Sequence, residues 1–131
     1  MKFKKAIYLA TFFSVLKMHN KAISILEKNL STLNNVREVS SIKIFIGMEY
    51  TEVKKYKEAV QYFNEGLFMV ENELLDYHPD FPFILKIIHI YGDKADYIRW
   101  YNNFINRIPF DKKFENVLKK CDRPIWGMEN I

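Results

Sequence analysis

The sequence predicts an all-α fold of about three helical hairpins closed by a C-terminal capping helix, and three observations predict it. Apolar residues recur every three or four positions through seven segments of helical length. The links between those segments are short and polar, so neighbouring helices must run antiparallel. Strand signals are nearly absent: no Asn-Gly or Asp-Gly turn occurs, and the β-branched residues stand at helical spacing. The 131 residues, 49% hydrophobic with Gly 4 and Pro 4, suffice for a single domain with one sizeable core and exclude collagen-like, low-complexity and disordered classes. A lone Cys121 excludes a disulfide scaffold.

In chain order the helices are expected near 3–17, 21–34, 37–54, 57–75, 81–91, 94–107 and 112–120, with a tail over 121–131. The first opens on Met1-Lys2-Phe3-Lys4-Lys5 and runs into the apolar stretch Ala6 to Leu16, which has the charged start and apolar length of a secretory signal. Lys17-Met18-His19-Asn20-Lys21 follows without a small-x-small cleavage pattern. The stretch is also about half of the roughly 20 residues that a membrane span needs. It is therefore read as a helix of a mature cytoplasmic protein that does not enter a membrane. Asn35 with Glu38 marks the third start, Asp93 with Asp96 the sixth, and Asp111 the last. Pro82 stands just inside the fifth helix, and Gly92 and Pro109 stand where helices should stop. The second apolar stretch, Phe83 to Tyr91, is shorter still and contains Lys86 and His89.

Internal repetition is the most specific signal. Ile46-Gly47 and Tyr50, followed by Tyr56, Ala59, Phe63 and Gly66, place small residues where two helices and the next hairpin approach, with aromatic rings filling the space left. Over residues 40–73 this resembles a tetratricopeptide repeat, a helix-turn-helix unit of about 34 residues. Upstream, Leu9-Ala10, Phe13, Ala22 and Leu26 stand at the same offsets, but Ala22 precedes Ala59 by 37 residues, an extra three that fit in the 34–37 link. Downstream, Ile84-Leu85, Ile88, Gly92, Tyr97, Tyr101 and Phe104 follow more loosely, with bulky residues where small ones are expected. That third hairpin should pack further apart, or close the stack irregularly. The segment 112–120, with Lys112, Lys113, Lys119 and Lys120 around Phe114, Val117 and Leu118, suits the polar-faced cap of a solenoid. The resemblance implies a TPR-like α-α superhelix over one domain, with hairpins near 3–34, 37–75 and 81–107.

The chemistry-bearing residues do not assemble into a catalytic or metal set. His19, His78 and His89 lack a full ligand spacing, and Asp76-Tyr77-His78-Pro79-Asp80 is read as an inter-repeat loop. Cys121 has no CxxC partner and is read as a structural or merely exposed thiol. The glycines at 47, 66, 92 and 127 make no phosphate loop. No cofactor or metal is expected, and the chain is read as non-catalytic. The net charge of +4 comes from 16 Lys and only 4 Arg, which argues for a solvated surface over nucleic-acid recognition. With 15 Ile, 11 Phe, 11 Asn and 8 Tyr, the usage resembles that of an AT-rich, commonly bacterial genome.

In the tetratricopeptide family the first helix of each hairpin lines a concave binding surface. By register, the resemblance implies a lining of Lys4, Ile7, Thr11, Ser14 and Val15 from the first hairpin. Ser41, Ile44, Met48, Thr51 and Glu52 would follow from the second, and Lys86, His89 and Ile90 from the third. Members that grip a carboxylate-terminated chaperone tail use a Lys/Asn/Arg clamp; Ile7 and Thr11 occupy two clamp positions here, so that clamp is absent. A mixed apolar and polar groove suits an extended or helical segment of one protein partner. Tyr97, Tyr101 and Phe104 are expected in the core, and Trp126 either docks back or meets a partner. The function expected first is a small bacterial immunity protein that binds and neutralises a cognate toxin. The alternatives are a chaperone or adaptor for a secreted or assembly subunit, and, less favoured, a nucleic-acid-binding helical repeat.

Overall fold

A computed structural model of the chain describes residues 1–124; the tail beyond them, Trp126 included, lies outside the described residues. Its helices are α1 (Phe3–Val15), α2 (His19–Leu30), α3 (Val36–Glu52), α4 (Tyr56–Met69), α5 (Phe81–Tyr91) and α6 (Lys94–Ile105), then a 3-10 turn (Lys112–Phe114) that continues into α7 (Glu115–Lys120). No strand forms among the described residues. The fold is all-α, as expected, and the starts agree to within two residues. Several expected ends overshoot, most at α4, which stops at Met69 instead of running to residue 75. Apolar side chains continue past the end of the helix: Leu33 packs on the core from beyond α2, and Val70 is buried just beyond α4.

The described chain divides into two compact units, the first spanning Met1–Asn72 and the second beginning at Glu73. In the first, the two hairpins are built on one plan. α1 and α3 each end on a lysine in the left-handed region, Lys17 at φ 61 and Lys54 at φ 62, 37 positions apart. Each turn carries the same paired bonds. Met18 N–H donates to Phe13 O at 2.8 Å and Lys17 N–H to Ser14 O at 2.9 Å; Lys55 N–H donates to Tyr50 O at 2.9 Å and Lys54 N–H to Thr51 O at 3.1 Å. This is the Schellman closure, and glycine is its usual left-handed residue because a Cβ there is strained. Lys17→Gly and Lys54→Gly are each expected to stabilise the unit by about 1 kcal/mol, read as a higher urea midpoint.

Ala6 and Ala10 of α1, Ala22 and Leu26 of α2, and Ile42 and Ile46 of α3 are fully buried. Short side chains let α2 lie against both α1 and α3, and α1 also touches α3. α3 and α4 meet still more closely at two glycines. A Cβ at Gly47 would stand 2.5 Å from Cε1 of the fully buried Phe63 and 3.2 Å from the Ala59 carbonyl oxygen. One at Gly66 would stand 2.8 Å from Ile44 Cγ1 and 3.2 Å from the Ser40 carbonyl oxygen. Ser40 Oγ donates to Gly66 O at 2.8 Å across the same contact. The small residues expected at this hairpin's contact face therefore sit there. Tyr50 and Tyr62 stack at 5.7 Å, and Tyr62 OH donates to Glu27 of α2 at 2.8 Å. Burial, then the Glu27 carboxylate, push the Tyr62 hydroxyl well above its ordinary range.

In the second unit rings take the place of small residues. α5 buries Phe81, Ile84, Leu85 and Ile88, and α6 buries Tyr97, Trp100, Tyr101 and Phe104. Phe81 stacks on Phe104 at 4.7 Å and His89 on Tyr97 at 4.2 Å. α5 and α6 accordingly approach less closely than α3 and α4. Their turn also differs, because Gly92 is extended (φ −106, ψ −168) and no left-handed residue occurs there. The 3-10 turn and α7 insert Phe114 and Val117 into this core and leave Lys112, Lys113, Lys119 and Lys120 in solvent; Leu118 is half exposed instead of packed. Asp111 caps the turn as expected, accepting from Lys113 N–H at 3.0 Å and also from Tyr77 N–H at 3.1 Å. These two amides hold its carboxyl below the usual range. Cys121 is buried, with Sγ 3.5 Å from Pro82 O, and burial pushes its thiol up to about 11. That is the environment of a structural thiol, not of a nucleophile.

Candidate functional site

α1 is apolar on two faces, and only one of them is used inside the first unit. Ala6 and Ala10 are buried, and Phe3, Ile7 and Phe13 pack partly against the core. On the opposite side Tyr8 is 77% exposed, Phe12 53%, Val15 75% and Leu16 53%. Their spacing of four, three and one puts them in one stripe along the helix. An amphipathic surface helix would carry polar residues there. A contiguous apolar stripe in water is the usual mark of an interaction surface.

Beside the stripe lies an open depression of about 420 Å³ lined by Phe3, Lys4, Ile7, Tyr8, Thr11 and Phe12. It brings together Lys4, Ile7 and Thr11, three of the five α1 residues that register places on the binding surface. Thr11 Oγ1 donates to its own helix at Ile7 O, 2.8 Å, so its hydroxyl is satisfied where the side chain lines the depression. On α3, Ser41, Met48 and Glu52 share one side of the helix, the first and last exposed and Met48 half-buried. The other two α3 residues face inward. Ile44 packs its Cγ1 against the Gly66 backbone of α4. Thr51 is buried, with its hydroxyl donating to Met48 O at 2.6 Å. Ile44 therefore meets α4, and Thr51, four residues on from Gly47, lies on the same flank of α3. In the second unit, Lys86 is exposed on α5, Ile90 is exposed beyond it, and His89 is half-buried by its stack on Tyr97.

A polar cluster escaped sequence reasoning. Glu49 is 3% exposed and accepts from Ser14 Oγ at 2.9 Å, and its other oxygen lies 3.1 Å from His19 Nδ1. Three helices are thereby tied at one carboxylate, and Ser14 turns toward the core instead of the binding surface. The available signal was periodicity: Glu49 falls on the same core stripe as Ile42 and Ile46, and a carboxylate on a core stripe needs partners. Glu49→Leu is expected to cost about 1–3 kcal/mol because Ser14 and His19 lose their acceptor in a buried place. Glu49→Gln, which keeps an acceptor oxygen, should cost less; urea unfolding of the two variants makes the comparison.

Among the described residues no group of three or more His, Cys, Asp or Glu side chains converges on a metal-sized site, and no helix is long and apolar enough to cross a membrane. No protein-family model, no curated protein and no solved structure matches the chain.

Proposed function

We propose that this chain is a non-catalytic protein-binding module that engages one protein partner through the exposed face of α1. The observation that carries the reading is the unpartnered stripe of Tyr8, Phe12, Val15 and Leu16 on a helix whose other face is already committed. Aromatic anchors beside a depression are the usual form of an interface hot spot. Ser14 and Glu49, in contact across α1 and α3, hold α1 from the side away from its stripe, so the stripe is presented on a helix fixed to the unit.

In its finer form the module is a tetratricopeptide-like immunity protein, cytoplasmic, that blocks a cognate toxin by covering it. Support for that form is the paired hairpin design with small residues at its contacts, together with the bacterial-type composition. Affinity purification of the tagged chain from its own cell, followed by identification of the bound proteins, tests the module. Co-expression of the bound protein, with growth as readout, tests the immunity form. One stoichiometric partner that is toxic alone and harmless with the chain is the expected result. A partner belonging to a secretion or assembly system, and harmless alone, would replace immunity with a chaperone or adaptor role.

A further inference from the structure

We infer that the exposed face of α1 receives an acidic amphipathic helix of the partner, with an apolar ridge at its centre and Asp or Glu at both ends. The inference rests on the reading above that α1 binds protein, and adds the chemistry of what is bound. Its first support is the distribution of charge. Residues 1–26 hold Lys2, Lys4, Lys5, Lys17 and Lys21 and no acidic residue, while the whole chain carries only +4. The entire basic surplus therefore sits on and beside α1, and the rest of the chain is close to neutral.

Its second support is alignment. Lys5 is in line with Phe12 and Leu16, and Lys4 with Tyr8 and Val15, at helical spacings of seven and four. Both lysines are exposed, and so is Lys17 at the other end, held by its left-handed turn. The apolar stripe is thus bracketed lengthwise by cations. A partner helix lying along it would meet ammonium groups at its ends and apolar groups at its middle, and one of its side chains would fill the depression beside Phe3 and Ile7.

The same features count against other occupants. A second copy of α1, in either direction, would set lysines against lysines with no acid in residues 1–26 to relieve them. A bilayer would have to take in Lys4 and Lys5, which stand on the apolar face itself instead of flanking it, and a flat surface leaves the depression unfilled. Nucleic acid would use the lysines but leave Val15 and Leu16 in water.

The test uses the full chain and a labelled helical peptide of 16 residues carrying a Leu/Phe ridge with Glu at both ends. A second peptide has Lys in place of every Glu, and anisotropy reports binding. The acidic peptide is expected to bind about tenfold or more tightly than the basic one at low salt, with the preference shrinking as salt rises. Lys4→Glu with Lys5→Glu should reverse the preference, and Phe12→Ser should weaken both peptides, with circular dichroism unchanged. Equal affinity for the two peptides, or no binding of the acidic one, overturns the inference. So does tighter binding to phosphatidylserine vesicles or to a single-stranded oligonucleotide, or a dimer that Phe12→Ser abolishes. A purified partner that is lost with Phe12→Ser yet bound equally by Lys4→Glu/Lys5→Glu would sink the acidic helix and leave the protein-binding reading standing. A partner indifferent to Phe12→Ser would sink both.

Discussion

Gly47→Ala is expected to destabilise the first unit by about 2 kcal/mol, although alanine is the better helix former. The intrinsic preference favours alanine by up to about 1 kcal/mol in a helix interior. Against it stands a methyl group 2.5 Å from Phe63 Cε1 and 2.6 Å from Cδ1. Phe63 is fully buried and cannot swing aside, so α3 and α4 must separate, at an overpacking cost of about 3 kcal/mol. The sign distinguishes the close-contact account from a tolerated helix glycine, for which Gly47→Ala would stabilise. Phe63→Leu made alongside should recover part of the loss, because the smaller side chain vacates the space the methyl group needs. A double-mutant cycle by urea unfolding measures that coupling.

Tyr8→Ser with Phe12→Ser is expected to lower affinity for the co-purified partner about a hundredfold, roughly 2.7 kcal/mol, while leaving stability within about 0.5 kcal/mol. The two effects separate because the stripe is already largely in water: Tyr8 is 77% exposed and Phe12 53%, its ring meeting the neighbouring Phe13 at 5.3 Å. Little is lost on folding, whereas an interface built on aromatic anchors loses its centre. Calorimetric titration and a thermal melt on the same sample give both numbers. If affinity and stability fall together, the stripe is part of the folded unit and not a binding face.

Much of the architecture was legible because it depends on local rules. Helix periodicity is a short-range property, and Asn35, whose side chain accepts from Arg37 N–H at 2.9 Å and Glu38 N–H at 3.1 Å, caps α3 as its type and position indicate. Gly47 and Gly66 could be read because a glycine costs a helix stability and needs a packing reason. Asp93 shows the limit: it holds the N-cap backbone conformation of α6 without a side-chain cap bond. The surface was harder to read. Lys4, Ile7 and Thr11 do share one depression, but Tyr8, Phe12 and Leu16 carry no signal of their own, because a continuous apolar run looks the same whether one face or two are buried. The Ser14–Glu49–His19 cluster joins residues 30 and 35 positions apart, which no spacing rule reaches. Register places Thr51 on the surface, yet it is buried.

A photocrosslinking phenylalanine analogue at position 12, placed in the tagged chain inside its own cell, tests the central claim most directly. Protein binding through α1 predicts one dominant crosslinked protein of fixed mass at position 12 and none from the same analogue at Lys57, which is exposed on α4. No adduct at position 12, or the same set of adducts at both positions, would contradict it.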